Sequence, residues 1–244
     1  MRPSADPPET VKVAVGKMIP DLAVIIVAGG SALRFGGDKL MVELGGLPVF
    51  LHSVREFLPV AAPGSLVVVH PAGRGGEFRA VAERYLPGAG IVWAEGGACR
   101  SASVRSGLAR IPLAAGIVAV HDAARPLASA GLLVRLVAEA RRSGGAIPGK
   151  PVTDTLKRCG ETGLIEETIP RSGLWRVETP QVFDLEKLRA AYERAPEADL
   201  TDDACVYSMA GFGCAVVLNE QENLKITYPA DIALLKRREC EAKG

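Results

Sequence analysis

Leu22-Ala-Val-Ile-Ile-Val27-Ala-Gly-Gly30-Ser-Ala-Leu-Arg34-Phe-Gly-Gly-Asp-Lys39 passes from a continuous apolar run into a glycine-rich turn that carries two cations. Six apolar residues without alternation predict a strand covered on both faces, the kind found inside a parallel sheet. The turn has the outline of a phosphate site. Ala28, Gly29 and Gly30 bring backbone N–H groups close to an anion, and Arg34 and Lys39 can each place a positive charge on it. Two common devices fail on spacing: a Walker A loop needs Ser or Thr after its lysine, whereas Leu40 follows Lys39, and neither glycine starts a dinucleotide fingerprint. The loop therefore either holds a phosphate in another way or is a tight turn with surface charges.

The rest of the chain repeats the pattern of the opening strand. Short β-branched runs recur at Leu66 to Val69, Ile91 to Trp93, Ile117 to Val120 and Ala215 to Leu218. Helical spacing fills Pro48 to Leu58, Glu77 to Leu86, Arg100 to Ile111 and Gly131 to Arg142. Asp184 is placed to cap Leu185 to Ala195, Thr201 to cap the next helix, and Pro229 to open the last one. This alternation predicts an α/β fold with a doubly wound, mostly parallel sheet, whose ligands sit at the carboxyl ends of the strands. One segment breaks it. Val152 to Arg158 and Leu164 to Ile169 are polar, extended and joined by Cys159-Gly-Glu-Thr-Gly163, which reads as a β-hairpin arm. A two-stranded ribbon is marginal alone, so the arm packs either on another subunit or on its own.

Composition narrows the function classes. In 244 residues, 29 basic and 28 acidic side chains leave a net charge of +1, without the global basic field expected of a nucleic-acid binder. No apolar run is long enough to span a bilayer, and residues 1–18 read as a loose tail rather than a targeting peptide. Five cysteines without a Cys-x-x-Cys pair favour free thiols in a reducing cytoplasm. There is no Gly-x-Ser-x-Gly elbow for a serine hydrolase. His52 reads as a partly buried structural residue, and His70 ends a strand. His121-Asp122-Ala-Ala-Arg125-Pro126 follows a strand at the binding edge, where Asp122 either ligates a phosphate-bound Mg²⁺ or caps a turn. In Glu95-Gly-Gly97-Ala-Cys-Arg100-Ser-Ala-Ser103, the glycines permit close backbone approach, and Ser103 either bonds a base edge or caps the helix.

Seven ordered blocks then resemble one family: Gly96-Gly97-x-x-Arg100-x-x-Ser103-Val104, His121 to Pro126, Asp154-Thr155-x-Lys157, Arg171-x-Gly173-Leu174-Trp175, Thr179-Pro180-Gln181, Thr201-Asp202-x-Ala204 and Asn223-x-Lys225-Ile226-Thr227. The chain from Leu22 to Leu235 is similar to the 2-C-methyl-D-erythritol 4-phosphate cytidylyltransferases of the non-mevalonate isoprenoid pathway. The resemblance implies a single Rossmann-like nucleotidyltransferase domain over 19–244, with the arm at about 150–175. It also implies transfer of CMP from CTP to methylerythritol phosphate, with Mg²⁺ on the triphosphate. On matching positions, Arg34 and Lys39 would stabilise charge on the α-phosphate, Lys225 would orient substrate and phosphates, and Asp122 would help hold the metal. Gly97, Arg100 and Ser103 fall in the cytidine segment, while Thr155, Arg171, Thr179 and Thr201 match residues that hold the acceptor. In the family the arm crosses a homodimer, which would place Thr155 and Arg171 at the neighbour's site.

The implied chemistry suits the residues present. A phosphate monoester is already ionised near neutral pH, so no strong general base is required. The opening loop departs from the family pattern: Ala32 replaces a glycine, Asp38-Lys39-Leu40 replaces Pro-Lys-Gln, and Ala98 stands where an acid is frequent. Taken by itself, that loop resembles enzymes that transfer GMP or CMP to molybdopterin. Ribitol phosphate is the other alternative acceptor, since its cytidylyltransferases share much of the downstream pattern.

Overall fold

The computed structural model describes residues 17–29, 35–196 and 200–241. In chain order the elements are β1 (Leu22–Val27), β2 (Glu43–Leu44), β3 (Leu47–Pro48), α1 (Val49–Phe57), β4 (Leu66–His70), α2 (Gly75–Tyr85), β5 (Val92–Glu95) and α3 (Arg100–Leu108). There follow β6 (Ile117–Asp122), α4 (Ala130–Ser143), β7 (Gly145–Pro151), β8 (Leu156–Cys159), β9 (Ile165–Ile169), β10 (Trp175–Val177) and β11 (Gln181–Asp184). The described chain closes with α5 (Leu185–Arg194), α6 (Asp203–Met209), β12 (Ala215–Leu218) and α7 (Pro229–Glu241).

β1 organises the sheet. It pairs in parallel with β4 on one side and β6 on the other, and β4 pairs with β5. Every residue of β1 is buried, because alternate side chains enter two separate cores. Leu22, Val24 and Ile26 meet apolar residues of α1, α2, α4 and α7. Ala23, Ile25 and Val27 meet those of α3, α5 and α6. Double burial explains the continuous apolar run, since each fully buried aliphatic side chain contributes about 1.5–3 kcal/mol.

Beyond β6 the sheet ceases to be purely parallel. β11 inserts antiparallel between β6 and β7, in the register Gln181↔Val120 and Val182↔Ala146. β10 continues along the same side of β7, joined to β11 through Glu178, Thr179 and a cis Thr179-Pro180 bond. β12 lies on the opposite side of β7 and runs parallel to it. The mixed, mostly parallel sheet agrees with the expected fold class. β7 and β11 were not legible as strands, because Gly145, Pro148, Gly149 and Pro151 disguise the first and the second has only four residues.

The arm forms as expected, with Leu156 opposite Ile169 and a turn closed by the Gly160 N–H to Leu164 C=O bond at 3.0 Å. Of the two side-chain caps read from the sequence, Asp184 forms and Thr201 does not. Ser129 and Asp184 cap α4 and α5, but α6 is capped by Asp202, whose Oδ1 accepts from the Cys205 N–H at 2.9 Å, rather than by Thr201. A carboxylate there meets the helix dipole as well as an orphan N–H. Four cysteines of the described residues, Cys99, Cys159, Cys205 and Cys214, are free. The N-terminal tail, up to residue 16, lies outside the described residues, as do Gly30 and Arg34.

α3 packs on β1 and β4 at a distance that only glycine permits. A Cβ on Gly107 would stand 2.7 Å from Ile25 Cγ2 and 3.1 Å from Val69 Cγ2. Gly107→Val is therefore expected to destabilise the fold by about 2 kcal/mol or more through overpacking. Urea unfolding would read this as a lower midpoint with an unchanged slope, and an unchanged midpoint would contradict the close contact.

Candidate active site

β5, β4, β1 and β6 all end at one edge of the sheet, so the segments after Glu95, His70, Val27 and Asp122 meet there. Antiparallel β11 begins at the same edge and brings Thr179 and Gln181 beside Asp122. Loop, helix and strand thus deliver residues that are far apart in sequence.

Asp122 ends β6 and is buried. Its Oδ1 accepts from Arg100 Nε at 3.3 Å and its Oδ2 from Lys225 Nζ at 2.7 Å, while Arg125 Nε stands 3.9 Å from Oδ2. Burial by itself would favour the neutral acid. The charges of Arg100 and Lys225 outweigh it and hold the carboxyl well below the usual carboxylate range. Asp122 is thus an anion at neutral pH.

Arg100 is gripped from its other side by Asp203. Its Nη2 donates to Asp203 Oδ2 at 2.7 Å, and Asp203 Oδ1 accepts from the Tyr192 hydroxyl at 2.6 Å. Asp203 is 0% exposed at the start of α6. Gln181 Oε1 accepts from the N–H groups of Asp203 and Ala204, both at 3.1 Å, and its Nε2 donates to Asp202 Oδ2 at 2.9 Å. Burial alone would weaken the Arg100 charge, but Asp203 and then Asp122 more than offset it. Burial, reinforced by Asp203, also raises the Tyr192 phenol above its usual range.

Behind Asp122, His121 is fully buried and edge-on to Phe57, with ring centroids 5.0 Å apart. Its Nε2 lies 3.2 Å from the Arg125 carbonyl and 3.0 Å from Ser53 Oγ, and its Nδ1 lies 3.1 Å from Thr179 Oγ1. A carbonyl only accepts, so Nε2 carries the proton and Nδ1 accepts from the Thr179 hydroxyl. Thr179 Oγ1 in turn accepts from the Asp122 N–H at 3.0 Å. Asn223 Nδ2 donates to the Thr179 carbonyl and Arg125 Nη1 to the Asn223 carbonyl, both at 2.7 Å. This net fixes both ends of the Asp122–Arg125 turn.

On the other side of the edge, the loops after β1 and β5 touch. A Cβ on Gly96 would fall 3.0 Å from Ser103 Oγ and 3.5 Å from Gly29 Cα, so glycine is required for the approach. The Ser103 hydroxyl accepts from the Gly97 N–H at 3.2 Å and donates to the Cys99 carbonyl at 3.0 Å. Ala28 and Lys39 line a neighbouring cavity of about 250 Å³ with Arg74, which is paired with Asp38. Lys39 Nζ donates to the Ile226 carbonyl at 2.8 Å, next in sequence to Lys225.

Asp122, Arg100, Thr179, Thr201, Arg125 and Lys225 line one cavity of about 180 Å³. Most of the residues singled out by sequence converge here or on the adjoining loops. Thr155 and Arg171 do not line it: Thr155 is exposed at the base of the arm, and Arg171 Nη1 donates to the Thr153 carbonyl. Sequence reasoning missed Asp203 and Gln181 as anchors and gave Arg125 no role. The adjacent pair Asp202-Asp203 was the available signal, because a single cap explains only one of the two acids.

Comparison with known proteins follows the same lines. A family model described as IspD: 2-C-methyl-D-erythritol 4-phosphate cytidylyltransferase matches residues 22–237. A 2-C-methyl-D-erythritol 4-phosphate cytidylyltransferase of Cereibacter sphaeroides (strain ATCC 17029 / ATH 2.4.9) is 42% identical over 230 residues, which is 91% of this chain and 98% of the relative. A crystal structure of the enzyme of that name from Thermus thermophilus has a TM-score of 0.72 at 34% identity, covering 89% of this chain and 98% of that one. A 4-diphosphocytidyl-2C-methyl-D-erythritol synthase structure from Anaerococcus prevotii has a TM-score of 0.75 at 25% identity, covering 92% and 97%.

Burial, partly opposed by Asp122, pushes the His121 pKa from 6.5 down to about 4. Between these values the unfolded chain binds a proton that the folded chain refuses, so stability is complete above pH 6.5 and falls as pH drops towards 4. About 3 kcal/mol is at stake over that window. Urea midpoints at pH 7 and pH 5 should diverge in the wild type, and His121→Gln should show a shallower pH slope. Identical slopes would contradict the assignment.

Proposed function

This chain belongs to the 2-C-methyl-D-erythritol 4-phosphate cytidylyltransferase family, and we propose that it transfers CMP from CTP to 2-C-methyl-D-erythritol 4-phosphate. The products are 4-diphosphocytidyl-2-C-methyl-D-erythritol and pyrophosphate. The observation that carries the reading is the buried, ionised Asp122, held by Arg100 and Lys225 at the carboxyl edge of the sheet. Arg100, Arg125 and Lys225 line that cleft together with Asp122, Glu178 and Asp202, and His121 is sealed in the core rather than offered as a general base.

The reaction has modest demands. An oxygen of the acceptor phosphate attacks the α-phosphorus of CTP, the α–β bridging P–O bond breaks, and pyrophosphate carries away the electron pair. The nucleophile is already ionised, so the protein has to align two anions and stabilise the charge that builds up between them. Lys39, Arg34 and Lys225 supply positive charge, and the Gly29 and Gly96 loops form the nucleotide side. Arg100 and Ser103 border the cytidine, and Thr179 and Thr201 border the acceptor.

Asp122 also suits a Mg²⁺ ion delivered on the triphosphate. Among the described residues no group of three or more His, Cys, Asp or Glu side chains could cage a metal, but a phosphate-borne Mg²⁺ usually needs only one or two carboxylates. Asp122 is ionised, and its oxygens retain acceptor capacity beside Arg100 and Lys225. When bound, the ion would neutralise triphosphate charge. The exposed Leu164, Ile165, Trp175 and Val177 of the arm and β10 support a homodimer, with Thr155 and Arg171 serving the neighbour's site. The free thiols of Cys99, Cys159, Cys205 and Cys214 support a reducing cytoplasm as the enzyme's location; no described helix is long and apolar enough to cross a membrane.

Pyrophosphate release tests the substrates. CTP with methylerythritol phosphate should react, and should stop when divalent cations are chelated; GTP, ATP, UTP or ribitol phosphate should be poor replacements. No release with the proposed pair would reject the reading. Lys39→Ala, Arg34→Ala and Lys225→Ala should each lower turnover by about 10²-fold or more with the fold intact, and near-normal turnover would reject the assigned roles. Mixing inactive Arg171→Ala with inactive Lys39→Ala subunits should restore about a quarter of wild-type activity, since half of the exchanged dimers are mixed and each holds one intact site. Exchange without recovery would show that each site is built from one chain.

A further inference from the structure

A second cavity, of about 440 Å³, adjoins the Asp122 cavity, sharing Arg125, Val177, Glu178 and Lys225 with it and adding Lys150 and Arg176 as its own cations. Lys150 and Arg176 are directly opposite each other in the antiparallel β7–β10 ladder. Like charges at opposed positions destabilise such a pair, and among the described residues neither side chain has a carboxylate or hydrogen-bond partner. The acids in the wall do not cancel them. Glu178 Oε2 accepts from Asn219 Nδ2 at 2.9 Å, and Glu222 leaves the wall at four cations to two carboxylates. Two wall residues also carry a buried polar atom without a hydrogen-bond partner, Arg125 Nε and Asn223 Oδ1, although Arg125 Nε lies within ion-pair range of Asp122.

We propose that this cavity is a second anion site, which takes a phosphate group on Lys150 and Arg176. A cleft lined mostly by one sign concentrates counter-ions, and phosphate accepts hydrogen bonds from several cations at once. The site lies outside the reaction proposed above, because the methylerythritol end of the acceptor is an uncharged polyol and gives two unpaired cations nothing to bind. It communicates with that reaction through shared walls. An anion there draws on Lys225 and Arg125, which Asp122 also uses, so occupancy weakens the grip on Asp122 and slows turnover. The ligand is a small phosphate-bearing molecule, free phosphate or a phosphomonoester.

Calorimetry with inorganic phosphate, pyrophosphate and glycerol phosphate as separate probes tests this without CTP or acceptor, so its outcome does not depend on the substrate assignment. Inorganic phosphate should bind the wild type and Lys39→Ala alike, and about tenfold or more weaker to Lys150→Met/Arg176→Met. A preference among the three probes identifies the source of the phosphate group. In phosphate-free buffer the double variant should turn over at the wild-type rate, and added phosphate should inhibit the wild type but not the variant. Binding that survives in the double variant, or that disappears in Lys39→Ala instead, would overturn the proposal. So would equal inhibition of both proteins.

Discussion

A carboxylate buried at the end of a strand is stable only if positive charge reaches it, and for Asp122 that charge comes from segments far apart in sequence. Arg100 starts the helix after β5, and Lys225 follows the last strand. Losing one partner of a buried ion pair costs about 3–5 kcal/mol, because the other charge is left unmet. The Asp122 cluster therefore ties the sheet edge together. The same ties set the chemistry, since cations held this way are already placed when an anionic substrate arrives, and little reorganisation remains.

Two supporting layers keep the cluster in place. Asp203, anchored by Tyr192 and by Gln181 through its backbone, fixes Arg100 from one side. Neutral His121 fixes the Asp122–Arg125 turn through Thr179 and the Arg125 carbonyl. Both layers depend on antiparallel β11, which alone brings Thr179 and Gln181 to the carboxyl ends of the parallel strands. The departure from a purely parallel sheet is thus what places Thr179 and Gln181 beside Asp122 and Asp203.

The parallel half of the fold was legible because double burial writes itself as uninterrupted β-branched runs in β1, β4 and β6. β7 was hidden by its glycines and prolines, which suit a strand whose neighbours change from β11 to β10 along its length. In the site, the residues flanking strand ends could be read from spacing and family resemblance. The partners could not: Arg100 meets Asp203, and Lys225 meets Asp122, across 103 positions of sequence in each case. Local pattern does not reveal which of the neighbouring Asp202 and Asp203 is the surface cap and which the buried anchor; the fold decides that through Tyr192 and Arg100.

The central claim is that Asp122 stays ionised because the fold surrounds it with cations. A carbon-13 NMR titration of the aspartate carboxyls, with Asp122 assigned from the missing signal in Asp122→Asn, tests it directly. The Asp122 resonance should stay at its ionised position as the pH falls through the usual aspartate value of about 3.9. A midpoint for Asp122 at or above that value would contradict the claim.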